Sequence, residues 1–444
     1  MAFPTGWTRQ CALVVQHGQV PADQTAFPVL ITAACLPAEM VTAGGSNAAQ
    51  SDGGDIRFSS DSAGASQLAC EIVTWAQNAN PSLASAEIWV PVNVLTASDV
   101  TIYVWYKAGG GITQPAANAA FGSQAVWGSQ FVAVYHLNEA SNAQALDSTS
   151  HGYHSTVNLS TQTAGKIGNG QSFTAASSEN LAIPAQQPFG QISCTAWVKT
   201  TGMFPIWDPR RADGFGCVFY TDVDGKFKIY STNGAGETVA TTATNITNGS
   251  WHYVAGTEST PPAATGRVYS DGSTAVSGGW TADNGGSTTG RVAKFFDIGF
   301  KTGNVDELHI LNVELSANWI TTEYHNQNSP GTFIIPGTPV GIGGGGATST
   351  VSATCSIVIP PALGTPTGIW LDLWVWRQMW HFDALTDAAT FPPVYLRALV
   401  MGLARELCKE YGRDPAVVEQ QANQAMGELE QSNDSIRKEG VREL

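Results

Sequence analysis

The sequence predicts a mainly β protein with two β-sandwich domains, followed by a small C-terminal domain of strands and an αα-hairpin. Three observations support this fold class. Only 13% of the residues are charged, 47 residues are glycine, and short apolar runs alternate with turn-forming residues along most of the chain. Such a composition favours short strands joined by turns over long solvated helices. The length of 444 residues also exceeds what one compact core usually covers, so we expect about three domains.

The first sandwich is predicted over residues 1–125. Four runs within it are rich in β-branched and aromatic residues and are bounded by Gly, Pro, Asp or Ser, as strands usually are. Residues 108–122 are rich in Gly, Ala and Pro and are expected to be a connector. The four predicted strands are Cys11–Val15, Val29–Thr32, Glu87–Val92 and Val100–Tyr106.

Residues 126–330 repeat this pattern of strands and turns and are predicted to form the second sandwich. Aromatic residues occupy many of its strand centres. Trp197 and Trp251 lie in such strand-like runs, so we expect both in the core. A linker is expected over residues 331–350, because four consecutive glycines at 343–346 give the backbone wide conformational freedom.

The pattern changes in residues 351–444. Two strand-like runs, Cys355–Ile359 and Gly368–Trp376, flank a turn rich in Pro and Gly. From Pro393 the apolar residues recur at helical spacing, and Asp414 followed by proline provides the cap and first turn of a second helix. Two short helices joined by a tight turn form an αα-hairpin.

Charge, hydropathy and cysteine content exclude several classes of protein. The net charge of −15 argues against a broad nucleic-acid surface, and no apolar stretch is long enough to span a bilayer. We therefore expect neither nucleic-acid sequence recognition nor membrane insertion. The seven cysteines are scattered without CxxC spacing, which favours buried thiols over disulfides. Since residues 1–10 lack the apolar run of a secretory signal, we expect folding in the cytoplasm.

Six ordered sequence blocks in the first segment resemble a domain of unknown function that commonly precedes laminin-G-like modules in bacterial and phage surface proteins. The resemblance implies a β-sandwich and no established chemistry. Its blocks are Trp7–Arg9, Phe27–Ile31, Ser51–Gly64, Cys70–Trp75, Ala86–Val92 and Thr101–Tyr106.

A second set of blocks resembles the laminin-G-like, concanavalin-type jelly roll over residues 130–327. Its landmarks include VYHLNE at 134–139, NGSWHYVAGT at 248–257 and VDELHILNVEL at 305–315. The resemblance implies a jelly-roll sandwich, and members of this fold often bind carbohydrate and a structural calcium ion.

The same resemblance places four side chains with oxygen atoms where calcium ligands occur in related modules: Asn138, Glu139, Asp147 and Asp306. Carboxylate and carbonyl oxygens suit this hard cation. Asp147 and Asp306 could instead cap turns by accepting hydrogen bonds from local backbone amides. Both interpretations stay open.

Carbohydrate recognition would use exposed aromatic rings beside polar groups, because the C–H faces of sugars stack on rings. Trp207, Tyr220 and Trp280 lie in or near irregular stretches rich in Gly and Asp and are the predicted glycan-binding residues. The alternative is that these side chains belong to the sandwich core, as most tryptophans do in such a fold.

Residues 368–413 resemble the end of the head-to-tail adaptor, or connector, proteins of short-tailed bacteriophages. The similar stretch includes PPVYLRAL and KEYGR, although the helices that usually precede it in that family are not predicted here. The resemblance implies a subunit of a ring, as a dodecamer, that docks to portal and tail proteins. It also implies a location in the neck or tail region of a virion assembled in the host bacterial cytoplasm. The predicted assembly interface comprises Trp370, Trp374, Trp376, Trp380, Tyr395, Leu399, Leu403 and Leu407.

An enzyme is not expected, because the sequence has no GxSxG, HExxH, P-loop or CxxC pattern. His151 and His154 could suggest a metal pair, but two loop histidines without a third ligand are more often solvated. Two interpretations of function stay open. One is a phage neck protein that displays its sandwiches outward for host glycan attachment. The other is a carbohydrate-binding adhesin or tail fibre with a C-terminal oligomerisation segment.

Overall fold

The computed structural model describes most of the first 342 residues. The chain divides into two compact units, Met1–Ala353 and Thr354–Leu444. The described ranges are 3–184, 190–211, 216–232, 237–260, 264–273, 276–280 and 289–342, and the second unit contributes the exposed helical residues Glu419, Asn423 and Gln424. The predicted C-terminal strands and assembly residues lie outside the described residues, namely Trp370, Trp374, Trp376, Trp380, Tyr395, Leu399, Leu403 and Leu407.

The first unit begins with seven strands. Inward and outward residues alternate along them, as in the first strand, where Cys11, Leu13 and Val15 are buried and Ala12 and Val14 are partly exposed. A short helix, α1 (Ala38–Val41), follows the second strand. The strands are β1 (Trp7–Val15), β2 (Gln24–Thr32), β3 (Arg57–Ser59), β4 (Gln67–Leu68), β5 (Glu71–Ala76), β6 (Ser85–Val94) and β7 (Val100–Ala108).

A second series of strands runs from residue 131 to residue 311. These are β8 (Phe131–Tyr135), β9 (Val157–Leu159), β10 (Thr161–Ala164), β11 (Asn169–Phe173), β12 (Asn180–Pro184), β13 (Ile192–Lys199), β14 (Phe204–Trp207), β15 (Gly216–Thr221), β16 (Phe227–Thr232), β17 (Glu237–Thr241), β18 (His252–Glu258), β19 (Ala264–Ser270), β20 (Val276–Trp280), β21 (Thr289–Val292), β22 (Lys294–Phe295), β23 (Gly299–Phe300) and β24 (Gly303–Leu311). Short 3-10 turns lie at His17–Gln19, Ala33–Cys35, Pro81–Leu83, Ser123–Val126 and Ala175–Ser177.

Two helices and two short strands complete the described part of the unit. Helix α2 (Ala317–Asn328) begins at Ser316, whose hydroxyl accepts a hydrogen bond from the amide of Trp319. Helix α3 (Pro330–Phe333) follows directly. The chain then forms β25 (Ile334–Pro336) and β26 (Val340–Gly341).

The first sandwich packs two sheets face to face. One sheet has the order β25-β1-β7-β3-β4, with β26 also paired to β1, and the other has the order β2-β6-β5. Leu13 on β1 aligns with Pro336, and Val15 aligns with Ile334. Residues 334–341 are therefore part of this sandwich, which differs from the expectation that a linker begins at residue 331. The pairing returns the chain to its own beginning after the second sandwich is complete.

The second sandwich also has two layers. Its large sheet has the order β10-β11-β24-β13-β18-β19-β20, with β8 also paired to β24. The opposing layer consists of β14-β15-β16-β17 and β21-β12-β9, which are joined by a bridge between Asp208 and Arg291. The core between the layers includes Phe173, Phe219 and Ile310. The mainly β class predicted from the sequence is confirmed.

The two sandwiches share a third apolar core. Leu30 and Trp89, from β2 and β6, pack in one cluster with Trp127, Phe131 and Trp197 from the second sandwich. Because these residues form one buried cluster, the outer face of the β2-β6-β5 sheet packs against the outer face of the large sheet, and water is excluded between them. The two sandwiches therefore form one body, called the two-sandwich body below.

The cysteine prediction agrees with the structure where it can be compared. The five described cysteines are free and buried: Cys11, Cys35, Cys70, Cys194 and Cys217. Trp197 is 1% exposed, and the partly buried Trp251 packs against the shared core. Within the described ranges, no helix is long and apolar enough to cross a membrane.

Candidate functional site

Buried carboxylates and histidines form a cluster where the two sandwiches meet. Glu71 on β5 and Glu87 on β6 belong to the first sandwich, whereas His136, directly after β8, and Glu307 and His309 on β24 belong to the second. Side-chain exposure is 12% for Glu71 and at most 5% for the other four. These five residues are called the junction cluster. Charged groups are rarely buried unless they are paired, so this concentration requires a specific arrangement.

The His136 ring has carboxylates on both sides. Its Nδ1 lies 2.9 Å from Oε2 of Glu307 and 3.3 Å from Oε1 of Glu87, and its Nε2 lies 3.4 Å from Oε2 of Glu71. Its ring stacks on Trp89 with centroids 5.7 Å apart. Burial alone lowers the pKa of His136, but the negative charges of Glu307 and Glu71 outweigh burial and raise the pKa well above its usual value. The surrounding carboxylates therefore favour the protonated form of His136.

His309 connects the junction cluster to α2. Its Nε2 lies 3.3 Å from Oε2 of Glu307, and its Nδ1 lies 3.1 Å from Oε1 of Glu323 on α2. Burial lowers the pKa of His309, but the hydrogen bonds with both glutamates outweigh burial and raise the pKa to about 9. Glu323 also accepts hydrogen bonds from Thr195 at 2.9 Å and Gln327 at 3.2 Å. A buried polar network thus fixes α2 to the second sandwich.

Glu87 and Glu307 have different electrostatic surroundings. Burial raises the pKa of Glu87 well above its usual value, and the nearby charge of Glu307 raises it further. Burial also acts on Glu307, but the facing His136 outweighs it and lowers the pKa of that carboxyl. Oε1 of Glu87 accepts a hydrogen bond from the indole of Trp89 at 3.2 Å, while Oε2 is buried without a hydrogen-bond partner among the described residues. One oxygen of the junction cluster therefore keeps unused lone pairs.

Gly168 lies against this free oxygen. The residue has a φ of +57°, and an added Cβ would stand 3.2 Å from Oε2 of Glu87, so a larger residue would be strained and crowded there. Gly168 and Glu87 also line a cleft of about 550 Å³. The other lining residues are small or carry hydroxyl groups: Thr32, Ala33, Ala34, Thr74, Pro81, Ser82, Ala84, Ser85 and Ala86.

Three members of the junction cluster could hold a metal ion. The ligand atoms of Glu87, His136 and Glu307 all lie within 4.8 Å of one another. Sequence reasoning missed this trio, because its members come from three separate segments of the chain and His136 is 171 positions from Glu307. A weaker signal was available, since each of these charged residues interrupts an apolar run that is typical of a buried strand.

Two of the four residues predicted to bind calcium, Asp147 and Asp306, cap turns. Both carboxylate oxygens of Asp147 accept hydrogen bonds from backbone amides, including those of Thr149 and Tyr153 at 2.9 Å. Oδ2 of Asp306 accepts hydrogen bonds at 2.7 and 2.8 Å from two successive amides in the turn between β10 and β11. These hydrogen bonds are the ones expected if the two aspartates cap turns and do not bind calcium.

The other two predicted calcium ligands, Asn138 and Glu139, make side-chain contacts with different parts of the chain. Oε1 of Glu139 accepts a hydrogen bond from the amide of Leu146 at 2.8 Å. The side-chain nitrogen of Asn138 lies 3.4 Å from the backbone oxygen of Val73. Within the described residues, the ligand atoms of Glu139 and the two capping aspartates do not come together. Calcium binding by these four residues stays a prediction.

Trp207 and Tyr220 are buried, which corrects their predicted role as exposed platforms for sugars. Trp207 is 1% exposed and stacks on Phe219 in the core, with ring centroids 5.7 Å apart. Tyr220 is 8% exposed and packs edge-on against Phe295, also at 5.7 Å. Both rings lie on paired strands whose faces are covered, so a sugar cannot stack on them. The side chain of the third predicted residue, Trp280, lies outside the described residues.

A family model described as the concanavalin A-like lectin/glucanases superfamily matches part of the chain. Residues 167–321 match this family. The match runs from the turn before β11 into α2, and it confirms the laminin-G-like jelly-roll module there. The second sandwich is called the jelly roll below. None of the curated proteins compared with the chain matches it.

Similarity to solved structures covers less than half of the chain. The receptor binding domain of botulinum neurotoxin type G is 16% identical with a TM-score of 0.35, over 45% of this chain and 52% of that chain. The binding domain of botulinum neurotoxin serotype D is 13% identical with a TM-score of 0.36, over 45% and 52%. The binding domain of Paraclostridial Mosquitocidal Protein 1 is 11% identical with a TM-score of 0.35, over 44% and 52%. The chain spans about half the length of these structures.

Proposed function

We propose that the chain is a bacteriophage virion protein whose two-sandwich body binds host carbohydrate. The proposal of carbohydrate binding rests on the match of residues 167–321 to a superfamily of lectins and glucanases. Residues 351–444 attach the chain to the particle as a head-to-tail adaptor subunit, in a ring that contacts portal and tail proteins. The resemblance of residues 368–413 to phage adaptors supports this location.

The proposed sugar site is the cleft beside Gly168, where the matched module contributes Gly168 and the first sandwich contributes the other lining residues. Its volume of about 550 Å³ suits a small ligand, since such sites usually measure about 300–1,000 Å³. The hydroxyl-bearing residues Thr32, Thr74, Ser82 and Ser85 line it, and a hydroxyl group can both donate and accept hydrogen bonds with sugar hydroxyls. Alanine and proline side chains provide the apolar surface that the C–H faces of a sugar need.

Binding without hydrolysis fits the carboxylates at this cleft. Glycosidases use two carboxyl groups that face each other across the sugar. Here Glu87 is the one carboxylate among the residues that line the cleft, and Glu307 is fully buried behind it against His136, so two carboxyl groups do not face each other across a bound sugar. We therefore propose a binding protein rather than a glycosidase.

Glycan-array binding of the full chain tests the carbohydrate proposal. We expect binding to a defined group of host-surface glycans, and Ala34→Trp should abolish it, because Ala34 is an exposed wall of the cleft. Leu83→Trp is the matched control, since Leu83 is 68% exposed in the adjacent turn but does not line the cleft. An array on which the wild-type chain binds no glycan would contradict the proposal.

Electron microscopy of intact particles tests the location separately. Density for the chain as a ring at the neck is the expected result, with the two-sandwich body directed outward. Trimeric spikes or fibres would contradict the adaptor location and favour the adhesin or tail-fibre alternative. Absence of the chain from purified particles would contradict both.

A further inference from the structure

The junction cluster contains three ligand atoms, one each from Glu87, His136 and Glu307, that lie within 4.8 Å of one another. Glu87 comes from the first sandwich, and His136 and Glu307 come from the jelly roll. Nδ1 of His136 faces both carboxylates, at 3.3 Å from Glu87 and 2.9 Å from Glu307. An independent observation also indicates a ligand: Oε2 of Glu87 is buried and has no hydrogen-bond partner among the described residues. Leaving such an oxygen unpaired costs free energy, which a bound cation would recover.

We propose that Glu87, His136 and Glu307 bind a divalent transition-metal ion, with Zn²⁺ as the representative of this class. Two carboxylates and one neutral imidazole carry a total charge of −2, which balances a divalent cation. An imidazole ligand combined with carboxylates suits Zn²⁺ or Mn²⁺ better than Ca²⁺, which prefers oxygen ligands alone. On binding, the carboxyl of Glu87, whose pKa is raised by burial, and Nδ1 of His136 lose their protons to solvent, and Nδ1 donates the freed lone pair to the metal.

The groups around these three residues are arranged as metal sites usually are. A histidine that binds a metal through one nitrogen commonly donates the N–H of the other to a carboxylate. Nε2 of His136 lies 3.4 Å from Oε2 of Glu71, which provides that partner. The indole of Trp89 donates to Glu87, and His309 contacts Glu307, so both carboxylates are also held in orientation.

The cleft lies next to the proposed metal site, because Glu87 and Gly168 both line it. Oε2 of Glu87 is itself buried, and Gly168 has no side chain to crowd it, whereas a Cβ would approach that oxygen to 3.2 Å. Three protein ligands leave at least one coordination position for water. The bound ion would join β6 of the first sandwich to β24 of the jelly roll and hold the two in a fixed arrangement.

Metal analysis of the full chain tests this proposal. The purified protein is stripped with a chelator, equilibrated with Zn²⁺, and measured by mass spectrometry for zinc content and by calorimetry for affinity. We expect one Zn²⁺ per chain and a higher Tm with Zn²⁺ than without. His136→Gln and Glu87→Gln should each weaken binding by more than about 100-fold, since even residues that only support a metal ligand commonly contribute 10- to 100-fold.

Two comparisons keep the test independent of folding defects. Glu87→Gln replaces a carboxyl with an uncharged group of the same shape, so without metal its Tm should equal or exceed that of the wild type, while the Zn²⁺-dependent rise is lost. The control is His151→Gln with His154→Gln, because these loop histidines offer a competing zinc pair; His151 is exposed and stacks on Tyr153. Absence of stoichiometric zinc, zinc retained by Glu87→Gln, or zinc lost from the control would each overturn the proposal. None of these results depends on glycan binding.

Discussion

Asn326 on α2 closes the edge of a sheet in the first sandwich, and its removal should destabilise the two-sandwich body. β2 is the edge strand in the order β2-β6-β5. Oδ1 of Asn326 accepts a hydrogen bond from the amide of Leu30 at 2.7 Å, and its Nδ2 donates to the carbonyl of Leu30 at 3.1 Å. The side-chain amide thereby takes the place of a neighbouring strand. Both residues are fully buried.

The expected magnitude follows from these two bonds. Asn326→Ala leaves one buried N–H and one buried C=O of Leu30 without their partner. Each unsatisfied buried group costs ~1–3 kcal/mol, so the free energy of unfolding should fall by ~2–6 kcal/mol. The larger values apply if water cannot enter the space that the amide leaves.

Urea unfolding followed by tryptophan fluorescence measures the total loss, and hydrogen exchange at the Leu30 amide measures it locally. We expect Asn326→Ala to speed exchange at Leu30. Asn318→Ala, at an exposed position on the same helix, is the control and should change neither quantity. If Asn326→Ala proves as stable as Asn318→Ala and Leu30 stays protected, the proposed edge closure is wrong.

Three further predictions concern Glu258, Trp207 and Gly168. Burial raises the pKa of Glu258 from 4.5 to about 8, and neither of its carboxylate oxygens has a hydrogen-bond partner among the described residues. The contribution of Glu258 to the free energy of unfolding should therefore be complete below pH 4.5 and should be lost as pH rises toward 8. Glu258→Gln should flatten the dependence of this free energy on pH, measured by urea unfolding, and an unchanged dependence would contradict the prediction. Trp207→Ala should lower the free energy of unfolding by ~3–5 kcal/mol, because it opens a cavity in the jelly-roll core. A loss as small as that of a surface substitution would contradict the placement of Trp207 in the core. Gly168→Ala should cost ~1–2 kcal/mol in thermal unfolding, owing to its left-handed backbone.

Local sequence patterns predicted strands of the first sandwich, and a resemblance to a known family predicted the jelly roll. The runs Cys11–Val15 and Val100–Tyr106 lie within β1 and β7, because alternation of buried and exposed residues is a local property of a strand. The ordered blocks from residue 167 onward likewise predicted the module that the family match confirms. Both predictions depend on residues that are close together in the sequence.

Features that depend on distant residues could not be predicted in this way. β25 is three residues long and pairs with β1, although the two strands lie far apart in the sequence, so no local pattern assigns β25 to the first sandwich. The junction cluster likewise combines residues from both sandwiches that are far apart in the sequence, so no local pattern predicts it. Trp207 and Tyr220 lie near loops in the sequence, but their burial depends on which neighbouring strands cover them.

Carbohydrate binding in the cleft beside Gly168 can be measured directly on the full chain. Titration calorimetry gives the affinity of a host-surface glycan for wild type, Ala34→Trp and Leu83→Trp. We expect one binding site in the wild type, unchanged affinity in Leu83→Trp, and no detectable binding in Ala34→Trp. Equal affinity in all three proteins would contradict the claim and place any carbohydrate site elsewhere on the body.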